Sequence, residues 1–111
     1  MNEAKNPSNT AHNIKPGDIF YNTWGWEQTN IDFYQVVSTT TNTVKIRRIN
    51  QTREYKASSM SGNTAAIPND YISEEVLLKK PFFGDGGWRL RFEHGAGCKW
   101  DGDELTYTTY A

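Results

Sequence analysis

Trp88-Arg89-Leu90-Arg91-Phe92-Glu93-His94 decides the fold, because it alternates residue by residue: Trp, Leu, Phe and His fall on one side, Arg, Arg and Glu on the other. A period of two is that of an extended strand with one face on a core and the other in solvent. On its N-terminal side, Pro81-Phe82-Phe83-Gly84-Asp85-Gly86-Gly87 reads as a turn. On its C-terminal side, Gly95-Ala96-Gly97 breaks the pattern, Trp100-Asp101-Gly102-Asp103 makes a second turn, and residues 105–110 alternate again as a last strand.

Further upstream the same punctuation recurs. Lys15-Pro16-Gly17-Asp18 is a turn signal, since Pro presets one backbone angle and Gly permits a positive one, and Ile19-Phe20-Tyr21 follows as a short strand. Phe33-Tyr34-Gln35-Val36-Val37 and Val44-Lys45-Ile46-Arg47-Arg48-Ile49 have the β-branched and aromatic content of strands, paired as a hairpin through residues 38–43. From residue 50 to 69 the pattern weakens into a long loop, with at most one strand around residues 53–57. Ser73 to Lys80 reads as a strand or a short helix ended by Pro81. Residues 1–13, rich in Asn, Ser and Pro, are expected to be a flexible leader, and 14–111 a single domain. The expected fold is all-β with at most one short helix: a small antiparallel barrel of five to six strands, SH3-like or Greek-key.

The chain of 111 residues suits one modest core, and although only 36% is hydrophobic, 14% is aromatic, so large rings must supply much of the buried area. Twelve basic against 13 acidic residues leave a formal net charge of -1, too little for a bulk field toward nucleic acid or an anionic membrane. Cys98 is the only cysteine, which excludes an intrachain disulfide and suggests a reducing, cytoplasmic setting; no apolar run has the length of a membrane span.

The strongest site candidate is Trp24-Gly25-Trp26-Glu27-Gln28-Thr29-Asn30-Ile31-Asp32. Trp24 and Trp26 would form a stacking platform, with Glu27, Gln28, Asn30 and Asp32 as directional hydrogen-bonding groups. The competing structural reading has both indoles plug the end of the barrel while the polar groups cap the turn's own backbone. A second set is basic: if their strands are neighbours, Lys45, Arg47, Arg89 and Arg91 make one positive face beside exposed aromatics, as in single-strand nucleic-acid binders. The ordinary alternative is a solvated face balanced by Glu54, Asp85 and Glu93.

Catalytic and metal signals are weak. His94, Cys98 and Asp101 supply neither four zinc ligands nor a base held by a third group, so His94 reads as a core-edge residue and Cys98 as an inert thiol. Asp101-Gly102-Asp103-Glu104 lacks the ligand ladder of a calcium loop. Carboxylate pairs such as Asp18 with Asp32, or Glu27 with Asp32, would serve acid–base chemistry only if the fold brings them together. No cofactor is expected, and the chain reads as a binder more readily than as an enzyme.

Pro16-Gly17-Asp18-Ile19, the tryptophan segment through Val37, Met60-Ser61-Gly62, and Trp100-Asp101-Gly102 with the Tyr110-Ala111 end resemble a family of small uncharacterised proteins of bacteriophages and other mobile elements. That resemblance implies a bacterial cytoplasm and an accessory role, such as an anti-defence, anti-CRISPR-like inhibitor that binds a host protein or protein–nucleic-acid complex. Single-stranded nucleic-acid binding, and a small nucleotide-binding protein or enzyme using Glu27, Asn30 and Asp32, are the alternatives.

Overall fold

A computed structural model of the chain describes residues 12–25, 29–55, 61–84, 87–93 and 95–108, with backbone only for 54, 55, 61 and 108. Among these residues every regular element is a strand: β1 (Ile19–Trp24), β2 (Asn30–Thr39), β3 (Val44–Tyr55), β4 (Ser61–Tyr71), β5 (Leu77–Lys79), β6 (Phe82–Gly84), β7 (Gly87–Phe92), β8 (Gly95–Lys99) and β9 (Leu105–Thr108). They form one antiparallel sheet in the order β6-β7-β8-β1-β2-β3-β4-β9, with β5 on the first part of β3. The sheet curls into a half-barrel, so the all-β, barrel-like expectation holds.

Strand pairing dictates two buried faces. Residues directly opposite each other share a face, and the register Phe20↔Tyr34, Val36↔Ile46 and Leu90↔Gly97 assembles a first cluster of Ile14, Phe20, Val36, Val44, Ile46, Leu90 and Phe92. Phe33↔Ile49 begins the second, on the opposite face, with Ile19, Ile31, Ala66 and Tyr107. Trp100 stacks edge-on against Phe33 at 5.4 Å and donates its indole Nε1–H to the Asp103 carbonyl at 2.7 Å, which sets the turn before β9. Because β2 is central, both of its faces are covered, and a ring as fully enclosed as Phe33 contributes about 2–3 kcal/mol through burial.

The entry turn forms as expected. Asp18 N–H donates to the Lys15 carbonyl at 3.0 Å, Lys15 N–H donates to the Asp18 carboxylate at 3.0 Å, and Val36 N–H ties the turn to β2 through the Asp18 carbonyl at 2.8 Å. Of the span expected to be a leader, His12 is docked: its ring meets Trp88 edge-on at 6.4 Å and its Nε2 donates to the Thr40 carbonyl at 2.8 Å.

Three expectations need correction. Residues 50–55 and 61–69 are strand and not loop: β3 runs to Tyr55, and β4 returns from Ser61 with Gln51↔Ala66 through Tyr55↔Gly62 paired. Its buried residues, Gly62 opposite Tyr107 of β9, Thr64 and Ala66, are all small, so no large apolar side chain announced the strand. Gly95-Ala96-Gly97, expected only to break the strand before it, is itself the start of β8, and a Cβ on Gly97 would collide with the Phe92 ring and stand 2.9 Å from the Tyr21 carbonyl oxygen. The segment 81–87 is not only a turn, since β6 pairs Phe82↔Arg89 and Phe83↔Trp88. The strand count therefore exceeds five to six, and residues 77–79 are strand.

A bulge in β4 carries the chain toward the site. Between Ile49↔Tyr71 and Gln51↔Ala66 the register slips, and the extra residues 67–70 loop outward with Asn69 at φ 67. Buried Gln35 clamps it: Nε2 donates to Asn69 Oδ1 at 2.8 Å and to the Tyr71 hydroxyl at 3.1 Å, while Oε1 accepts Asn69 N–H at 2.8 Å. Arg47 then lies over the Tyr71 ring at 4.2 Å and donates from Nε to the Ser73 carbonyl at 2.9 Å. The segment 72–76 is thereby fixed beside the first face.

Candidate binding cleft

The β1–β2 hairpin ends at Trp24↔Asn30, where Gly25 takes φ 131, a conformation that L side chains rarely adopt. That requirement explains the glycine after the indole. Phe20, Asn22 and Trp24 alternate onto the first face of β1, opposite Tyr34, Asp32 and Asn30. The first pair enters the core, and the next two line the open end.

Here a cleft of about 410 Å³ opens between Trp24, Asn22, Asp32 and Tyr34 of the hairpin, Glu75, Leu77 and Lys79 of the 72–79 segment, and Phe92 and Glu93 at the end of β7. Trp24 is 37% exposed, and its Nε1–H donates to Asp32 Oδ2 at 2.9 Å. The other carboxylate oxygen accepts Arg48 Nη2 at 2.7 Å, with the Asp32 side chain far less exposed than that of Arg48. The carboxylate thus holds the indole and the guanidinium in fixed places. Such a charge-assisted contact is directional even where a half-exposed partner makes the ion pair worth only about 0.2–1 kcal/mol.

Tyr34 and Phe92 rings lie 4.8 Å apart at 31°, forming an aromatic floor, and Lys79 Nζ stands 4.9 Å over the Phe92 ring. Burial, then the Asp32 charge, push the Tyr34 hydroxyl above its ordinary pKa; Arg48 opposes this and Glu75 adds to it. Asn22, also along the cleft, is 4% exposed, and its Oδ1 is buried without a hydrogen-bond partner. A buried acceptor left unpaired costs about 1–3 kcal/mol, a cost that Asn22 shares with Gln51, whose Oε1 is likewise buried and unpaired.

Of the residues expected to form a site, the structure brings Trp24, Asn30 and Asp32 together at this hairpin end; Trp26, Glu27 and Gln28 lie outside the described residues. The arginines are distributed differently. Three strands, β8, β1 and β2, separate β3 from β7, so Arg47 is not a strand neighbour of Arg89 and Arg91. Arg47 is engaged with Tyr71 and Ser73, Arg89 donates to the Gly84 carbonyl and to Cys98 Sγ, and Arg91 lies over Phe82 at 5.1 Å. Asp18 and Asp32 are also apart: the Asp18 carbonyl bonds opposite Val36, four residues along β2 from Asp32, or roughly 13 Å. His94 lies outside the described residues, among which no group of three or more His, Cys, Asp or Glu is placed to hold a metal ion.

Sequence reasoning missed Asn22, Tyr34, Glu75, Lys79 and Phe92 as cleft residues. For Asn22 a signal existed: once β1 extends to Trp24, an amide occupies an inward position between Phe20 and Trp24, where polar residues are uncommon. Known protein families, curated proteins and solved structures were compared with the chain, and none matches it.

Proposed function

We propose that this chain acts by binding rather than by catalysis, as a recognition module whose contact surface is the cleft at the end of the β1–β2 hairpin. The observation that carries this reading is the half-exposed Trp24 indole, fixed by Asp32 at the mouth of an open cleft between the hairpin and the 72–79 segment. A preset, exposed aromatic at the rim of an open cleft is the arrangement of a surface that takes a partner. The partner is a protein of the bacterial host, standing alone or within a nucleic-acid complex. This follows the resemblance to mobile-element proteins, for which anti-defence inhibition, anti-CRISPR action included, is the concrete form. The single-strand nucleic-acid reading has less support, because Arg47, Arg89 and Arg91 do not converge on the tryptophan.

Photocrosslinking tests this directly. A benzophenone amino acid at Val76, exposed beside the cleft, is expected to give a discrete protein adduct in bacterial cells, and the same group at exposed Thr106 of β9 is expected to give none. Equal adducts at both positions, or none at Val76, would remove the cleft as the contact surface. Saturable quenching of tryptophan fluorescence by a single-stranded oligonucleotide at low salt would favour the nucleic-acid reading instead.

A further inference from the structure

The cleft lies where the half-barrel is left unclosed, and the sequence between β5 and β6 shows why. Leu77-Leu78-Lys79-Lys80-Pro81-Phe82-Phe83-Gly84 passes from one strand to the next through Pro81, which has no N–H to give a neighbouring strand and fixes its own φ. Before the proline the chain pairs with β3, from Ile46↔Leu77 to Val44↔Lys79. After it the chain pairs with β7, from Phe82↔Arg89 to Gly84↔Gly87. Leu90, Arg91 and Phe92 lie beyond that ladder and, among the described residues, pair with β8 alone. In the same way β5 pairs with β3 alone. Two strand edges are thus left without a neighbour, and both border the cleft: Leu77 and Lys79 on one side, Phe92 and Glu93 on the other.

An unpaired edge specifies its own complement. Backbone N–H and C=O groups turn to either side of a strand in alternation, so each edge offers a donor and an acceptor at every second residue, about 6.6 Å apart. Another extended peptide presents the matching groups at that spacing, whereas a nucleic-acid backbone brings phosphate acceptors without the donors. We propose that an extended segment of the protein partner enters the cleft as an added strand between β5 and the end of β7, an inference that rests on the cleft being the contact surface. Successive antiparallel pairings make β5 and β7 run in opposite directions, so the added strand is antiparallel to one and parallel to the other. Its side chains alternate between the inner face, where Tyr34 and Leu77 pack on the first cluster, and the outer face beside Leu78. Leu78, at 64% the most exposed large hydrophobic residue described, gains cover by this addition. The Lys79 side chain, with Nζ 4.9 Å over the Phe92 ring, bridges the two edges in the free chain and is the group that the strand displaces.

The test takes the partner segment crosslinked through benzophenone at Val76, identifies it by mass spectrometry and adds it as a synthetic peptide to the isotope-labelled full chain. Amide exchange is expected to slow about tenfold or more at one or more amides within residues 77–79 and within residues 90–93, and to stay unchanged in β9, whose outer edge serves as the control. Nuclear Overhauser contacts are expected between the peptide backbone and the backbones of both edges. Protection at fewer than both edges, a bound peptide in helical form, or contacts made by side chains alone would overturn the added strand. An adduct with a second copy of this chain would overturn the assignment to a partner. The two failures are separable: a Val76 adduct whose peptide leaves the edges unprotected removes the added strand alone, whereas loss of the adduct removes the contact surface beneath it.

Discussion

Replacing Gln35 by Leu tests how the sheet positions its site. Gln35 is 4% exposed and makes three hydrogen bonds, at 2.8 and 3.1 Å from Nε2 and 2.8 Å to Oε1. At about 1 kcal/mol net for each, their loss costs about 3 kcal/mol. The leucine carbons recover about 1 kcal/mol through apolar burial, leaving a net loss of about 2 kcal/mol. For a domain of this size that lowers Tm by roughly 8–16 °C. Asn69→Gly keeps the backbone freedom required at φ 67 and the main-chain N–H but removes one acceptor, so it is expected to cost about 1 kcal/mol. Thermal unfolding followed by circular dichroism gives both values. Amide exchange is expected to rise in residues 69–77, because the Gln35 clamp holds the bulge that leads to Arg47, Ser73 and Glu75. A Gln35→Leu Tm within about 2 °C of the parent would refute the clamp.

Gly97→Ala is expected to destabilise by about 1–3 kcal/mol, measured by urea unfolding, because its methyl group would be driven into the Phe92 ring and the Tyr21 carbonyl. In alkali, Tyr34 and Tyr21 should be late to ionise, since burial raises both above 10.0; Asp32 then reinforces the shift at Tyr34, and Cys98 at Tyr21. The folded state keeps these protons while the unfolded chain gives them up, so their contribution is complete below pH 10 and is lost as pH rises through the folded values. Phenolate absorbance at 295 nm, with Tyr34→Phe as reference, reads this directly.

The elements legible in the sequence are those whose inward positions carry large apolar side chains. Trp88–Phe92 alternates because Leu90 and Phe92 enter the core while Arg91 stays in water. The β4 strand alternates too, but with small Gly62, Thr64 and Ala66 inside and its pairing to Tyr107 about forty positions later, which no local preference announces. Gly97 reads locally as a breaker and is needed for the approach of Phe92. The same limit governs the site. Trp24, Asn30 and Asp32 stand out because one hairpin supplies them, whereas Glu75, Lys79 and Phe92 arrive through the bulge of β4 and the curl of β7, which only long-range pairing sets.

The central claim is that the cleft, and not the arginines of β3 and β7, meets the partner. Its most direct measurement compares retention of the crosslinked host protein on immobilised parent chain, Trp24→Ala and Arg91→Gln, each first confirmed as folded by circular dichroism. Trp24→Ala is expected to lose retention about tenfold or more, as for a central aromatic anchor, while Arg91→Gln retains it. Retention that survives Trp24→Ala and falls with Arg91→Gln would contradict the account and move the contact to β7.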